Sequence, residues 1–176
     1  MRISATGANS RRAAGFSLIE LLVVVVIVGV LVSAVTLATG GSASRQLETA
    51  AQRAQRLIQL ACERAEATGV DMGFAIGTRG LRFGYLRGEA WLPIDERAAE
   101  ELRERPLAAA VELTARRDGD ILLDGDSATQ PQLLCSSAGE LTPFELDLSH
   151  PGVAERWRLS GAPDGRLELA RIDDAG

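Results

Sequence analysis

Leu21 to Ser44 is a run of 24 residues without a formal charge, and its first half is almost wholly aliphatic. About 20 such residues cross a bilayer as a helix. Val-rich sequence forms helix poorly in water, but lipid enforces it, because every backbone polar group must be satisfied within the segment. Glu20 stands directly before the run, in Gly15-Phe16-Ser17-Leu18-Ile19-Glu20. A charged side chain inside a bilayer costs a few kcal/mol or more, so Glu20 predicts a compensating cation. Residues 1–15 carry Arg2, Arg11 and Arg12 and no acid. Positive charge ahead of an apolar run predicts a cytoplasmic N-terminus, with the bulk of the chain across the membrane. The leader itself is polar, rich in small residues and aperiodic, and reads as a processing segment.

Beyond the run the helix is expected to continue. In 45–68 the apolar positions are Leu47, Ala50, Ala51, Ala54, Leu57, Ile58, Ala61 and Ala65, one stripe of an amphipathic helix. Arg45, Glu48, Gln52, Arg56, Glu63 and Glu66 cover its other sides. Gly69 is a stop signal, while Gly29 and Gly40-Gly41 are points where the helix could bend or locally melt. The stripe is expected to dock on the domain that follows, and the membrane half to pack between subunits.

After Gly69 the period changes to two. Val70, Met72, Phe74 and Ile76 alternate with small or polar residues, as do Leu81, Phe83 and Tyr85. Further short runs are Trp91-Leu92, 110–114, 121–123, 132–135, 144–148, 156–159 and 166–171. Asp118-Gly119, Asp124-Gly125, Ala138-Gly139, His150-Pro151-Gly152 and Asp164-Gly165 punctuate them. Residues 94–105 are strongly charged and read as a solvated loop or one or two surface helical turns. Seven to nine short strands predict a mainly antiparallel domain. The fold class is therefore α+β, a long N-terminal helix packed on a C-terminal antiparallel sheet or sandwich. The organisation reads as a leader over 1–15, a membrane part of the helix over 16–38, an amphipathic part over 39–68 and a β domain over 70–176.

The remaining chemistry is sparse. Residues after 15 carry 16 Arg against 24 acids, a balance of −8. An acidic domain with few aromatics is a poor nucleic-acid binder, which wants a basic face and stacking rings. Cys62 and Cys135 could pair in an exported domain; in their apolar contexts they read rather as buried free thiols. No Cys/His cluster suggests a metal. Asp118, Asp120 and Asp124-Gly125-Asp126 lack the spacing and terminal Glu of an EF-hand and read as solvated turns. His150 lies in a turn, and Phe144 and Trp157 read as core. No nucleophile arrangement, catalytic acid pair or phosphate loop is present, so no enzyme and no cofactor is expected. Val32-Ser33-Ala34 could pass as an ordinary signal-peptidase site, giving a mature start at Val35, but ordinary signals place no acid where Glu20 stands.

Gly15-Phe16-Ser17-Leu18-Ile19-Glu20 resembles the N-terminal signature of type IV pilin-like prepilins, a basic leader ending in Gly, then Phe, Thr/Ser-Leu-Ile-Glu and an apolar helix. Gln132 to Leu146, with Pro143-Phe144-Glu145-Leu146, Trp157-Arg158-Leu159 and Gly165-Arg166-Leu167, looks like the C-terminal pattern of the H-type minor pseudopilins of the type II (general) secretion pathway. Cys135-Ser136-Ser137-Ala138 departs from the family's aromatic and Pro. The resemblance implies cleavage between Gly15 and Phe16 by a prepilin peptidase and N-methylation of Phe16 by the same enzyme. It implies that the new amine at Phe16 pairs with Glu20 of a neighbour. The implied setting is a single-pass inner-membrane protein with a periplasmic domain. Its partners would be the peptidase, the other minor and major pseudopilins and the inner-membrane assembly platform. Its work would be at or near the tip of a filament that drives folded proteins across the outer membrane. Two other readings stand beside this one: a minor pilin of a type IV pilus, and a membrane-tethered periplasmic domain that never polymerises.

Overall fold

The computed structural model describes residues 17–77, 80–95, 97, 101–103, 105–108, 110–122 and 128–172, with 32–40 and 105 described by backbone alone. The leader, Gly15, Phe16 and Asp124-Gly125-Asp126 lie outside them. Contacts divide the chain into two units, 1–38 and 39–176.

Helix α1 runs Leu18–Thr68 and is helical through Gly29, Gly40 and Gly41. It ends where Gly69 adopts φ +66°, the left-handed conformation that closes a helix. In the second unit, Leu47, Ala50, Ala51, Ala54, Ile58, Ala61 and Ala65 are buried. Leu57 is half-buried against the same core. The stripe is mostly alanine, so its face offers little bulk and lets α1 lie close on the sheets.

Ten strands follow: β1 Met72–Ile76, β2 Gly80–Arg87, β3 Ala90–Pro93, β4 Arg105–Pro106, β5 Glu112–Arg117, β6 Asp120–Leu122, β7 Leu133–Cys135, β8 Phe144–Ser149, β9 Arg156–Gly161 and β10 Leu167–Ile172. They form two antiparallel five-stranded sheets. The first has the order β3-β2-β1-β7 with β4 on β2, and the second β10-β9-β8-β5-β6. Phe74, Phe83, Met72 and Leu133 from the first sheet meet Leu146, Leu148 and Leu159 from the second in one core under the α1 stripe. Phe144 joins it edge-on to Phe74, with centroids 5.9 Å apart. Each such fully buried side chain contributes about 1.5–3 kcal/mol of transfer free energy.

Two expectations are corrected here. Residues 94–105 are not simply a solvated loop: Leu102 is fully buried, Ile94 and Leu107 are buried beside it, and Arg105–Pro106 pairs with Gly80 and Leu81. Charge density along the segment hid its apolar pins. Cys62 and Cys135 are not free thiols but a disulfide, with Cα atoms 5.0 Å apart. Cys62 sits beside the buried stripe and Cys135 on the inward side of β7, so the docking of α1 on the first sheet brings them together.

The outer face of the first sheet is also covered. Gly73 pairs with Gly84 across β1 and β2. Trp91 and Pro131 occupy the space that side chains there would need. The Trp91 indole N–H donates to the Gly73 carbonyl at 3.3 Å, and Arg82 lies over its ring. At the far end of the sheet, the Asp71 carboxylate accepts the Ser137 N–H at 2.7 Å and ties the helix–strand turn to the loop after Cys135.

Candidate functional site

The first turn of α1 carries the residues that the sequence singled out. Ser17 lies just before the helix; its carbonyl accepts the N–H groups of Glu20 and Leu21 at 3.0 and 3.2 Å. Its hydroxyl accepts the Glu20 N–H at 3.4 Å. Ser17 is therefore the N-cap and Glu20 the third helical residue, the spacing of a capping box. The carboxylate stands in the first turn, where the helix dipole favours negative charge.

Around this acid the surface is apolar. The aliphatic side chains described from Leu18 to Leu31 are 47–84% exposed. An exposed apolar surface of that extent marks contact with lipid or with other protein. No helix among the described residues is long and apolar enough to cross a membrane; the stretch whose side chains are described stops at Leu31, short of the sequence's own uncharged run. Glu20 is exposed in the single chain, with no cation beside it among the described contacts. The first turn therefore sets one carboxylate at the head of an exposed aliphatic surface.

The other candidates separate from this site. His150 is held within its own turn, its Nδ1 accepting the Gly152 N–H at 2.9 Å. Asp118 and Gly119 form the β5–β6 hairpin turn, both with positive φ, and Asp120 opens β6. No group of His, Cys, Asp or Glu among the described residues could hold a metal ion. Phe144 is core and Trp157 packs half-buried against it.

Sequence reading missed one polar centre. Asp147 accepts Arg116 Nη1 at 2.7 Å, Arg158 Nε at 2.7 Å and Arg158 Nη2 at 3.0 Å on the outer face of the second sheet. Strand alternation put Asp147 and Arg158 on outward faces; only the register, which sets Asp147 opposite Arg158 and Thr114, reveals the cluster.

Comparison with known proteins bears on both units. Residues 10–36 match the model of the prokaryotic N-terminal methylation motif. The chain is 36% identical over 178 residues to type II secretion system protein H of Pseudomonas aeruginosa, covering 92% of this chain and 99% of that protein. It is 28% identical to type II secretion system protein H of Aeromonas hydrophila, covering 93% and 96%. The crystal structure of the minor pseudopilin EPSH from the type II secretion system of Vibrio cholerae matches with a TM-score of 0.61 at 26% identity, over 72% of this chain and 96% of that one. With more than a third of its residues shared across nearly the full length of a relative, the chain belongs to the type II secretion system protein H family.

Proposed function

We propose that the chain is a minor pseudopilin of a type II secretion system, made as a prepilin and built in at or near the tip of a periplasmic filament. The observation that carries this reading is Glu20 at the head of an exposed aliphatic helix, inside a matched methylation motif. The peptidase removes residues 1–15 by cutting between Gly15 and Phe16, and then methylates the Phe16 amine. That amine is cationic near neutral pH when solvated or paired. Glu20 of one subunit pairs with the Phe16 amine of its neighbour, so neither charge is left alone as helices leave lipid for the filament. Residues 16–38 form the anchor in the inner membrane, with the N-terminus cytoplasmic. Residues 39–68 and the β domain, 70–176, lie in the periplasm. There they contact the other pseudopilins, and the assembly platform acts at the membrane. The chain acts by assembly and not by catalysis, and the mechanical energy comes from a separate motor.

The leader is then also a safeguard, because before cleavage Phe16 has no free amine for a Glu20 to recognise. N-terminal sequencing of the mature protein tests the reading. The expected start is N-methyl-Phe16; a start at Val35 or an uncut Met1 overturns it. Glu20→Val should abolish cross-linking to the other pseudopilins and stop secretion, and unchanged assembly in that variant would remove the pairing role.

A further inference from the structure

The chain has two cysteines, and the Cys62–Cys135 bridge uses both. The surroundings of the two sulfurs differ. Cys135, on β7, is fully buried under α1. Cys62 is half-buried and opens on a cleft of about 330 Å³ between α1 and the β9–β10 turn, walled by Gln55, Gln59, Glu63, Glu66 and Arg166. In thiol–disulfide exchange, access decides which sulfur a partner attacks. The bridge spans 73 residues and joins α1 to the first sheet, so it is held in register once α1 lies on that sheet. By then Cys135 is covered, and Cys62 is the sulfur that remains within reach.

We propose that Cys62 is the entry sulfur for an exported dithiol oxidase, and that Cys135 is the buried thiol that resolves the mixed disulfide. The proposal rests on the reading that places residues 39–176 outside the inner membrane, in a compartment where disulfides persist. The Cys62 thiolate attacks one sulfur of the oxidase's disulfide. A Cys62–oxidase bond forms, the oxidase's own S–S bond breaks, and the departing sulfur takes a proton. The Cys135 thiolate then attacks the Cys62 sulfur. The Cys62–Cys135 bond forms, the bond to the oxidase breaks, and the oxidase leaves as a dithiol. Two thiols have given up two electrons and two protons, and one disulfide of the oxidase has gained them. The reverse order, with the Cys135 thiolate attacking the oxidase first, requires α1 to lift off the sheet.

Full-length chain expressed in cells with and without their exported dithiol oxidases provides the test. Thiols should be paired in the first strain and free in the second. Cys135→Ser should trap an oxidase adduct on Cys62, a dithiothreitol-sensitive band on non-reducing gels at roughly ten times the level given by Cys62→Ser. Because either serine variant can lose the fold, the wild-type protein supplies a second measurement. Reduced glutathione added to the folded full chain in detergent should form its mixed disulfide on Cys62, mapped by mass spectrometry. Pairing that is unchanged without the oxidases, or a glutathione adduct on Cys135, overturns the proposal. The mature N-terminus separates this failure from that of the secretion reading. A chain that starts at N-methyl-Phe16 with free thiols sinks the oxidase step alone, and a paired but uncut chain sinks the pseudopilin reading alone.

Discussion

Asp147 is the buried charged side chain among the described residues, and it lies between Leu146 and Leu148, both fully inside. Burial pushes its carboxyl up; the hydrogen bonds from Arg158 and then Arg116 outweigh that, so it titrates below the ordinary value of 3.8. A carboxyl depressed by folding adds stability above its unfolded pKa and loses it as pH falls through the lower folded value. Asp147→Asn keeps the shape and removes the charge from beneath two guanidiniums. Both arginines are about one-third exposed, so water softens the loss. The expected destabilisation is about 1–3 kcal/mol near neutral pH. It should shrink as pH falls below about 3.8, where the unfolded carboxyl takes up a proton while the folded one, titrating lower, still holds its charge, and it is gone once pH passes the folded value. Urea midpoints for both proteins across that range check the size and the sign. A gap of equal size at every pH would mean that Asp147 acts through packing and not charge.

At the scale of elements, the β2–β3 hairpin and α1 show two ways to bring backbone close. A Cβ on Gly84 would stand 2.4 Å from Trp91 Nε1 and 2.6 Å from the Leu92 carbonyl oxygen. The second neighbour is backbone and cannot swing aside. Gly84→Ala should therefore spread β2 from β3 and cost about 1–3 kcal/mol, with the change in Trp91 fluorescence locating the disturbance. Ala54→Leu on the α1 stripe meets the same limit from the other side, since Ala54 is fully buried. It should overpack the helix–sheet contact by a similar amount, whereas Gln59→Leu at an exposed position of the same helix should stay within about 0.5 kcal/mol. Thermal melts of the three variants rank them. These elements were legible in different degrees. The stripe and most strands follow from periods of 3.6 and 2, and Gly69 from its freedom at positive φ. The Trp91 cover over Gly73 and Gly84, the Asp147 cluster and the β4 pairing were not, because each depends on the register between strands, which local pattern does not set. The disulfide had a readable signal: two cysteines, one flanking the helix stripe and one on the inward phase of a strand. Reading each in its own local context, without placing the helix on the sheet, made them look like separate buried thiols. Ser17 and Glu20 carry the spacing of a capping box, a signal local to four residues and legible without the structure.

In the whole molecule, the disulfide-bridged core and the Glu20 carboxylate fall in different units. The Cys62–Cys135 bridge closes a loop that contains every strand of the first sheet, with β7 ending on Cys135 itself, and joins that sheet to α1. A separation of 73 residues corresponds to about 4 kcal/mol of restricted unfolded-state entropy. Reduction should therefore lower the thermal midpoint of the second unit by roughly 10 °C or more. Glu20 lies in the first unit. Glu20→Val should leave the same midpoint unchanged within about 0.5 kcal/mol, and leave the disulfide intact, while cross-linking to neighbouring pseudopilins disappears. Measured side by side, the two perturbations should dissociate: reduction weakens the fold with the Glu20 carboxylate still in place, and the Glu20 variant fails to assemble with a sound fold. If Glu20→Val lowers the melting midpoint as much as reduction does, its loss of assembly is a folding defect, and the pairing of Glu20 with a neighbour's amine is no longer needed to explain it.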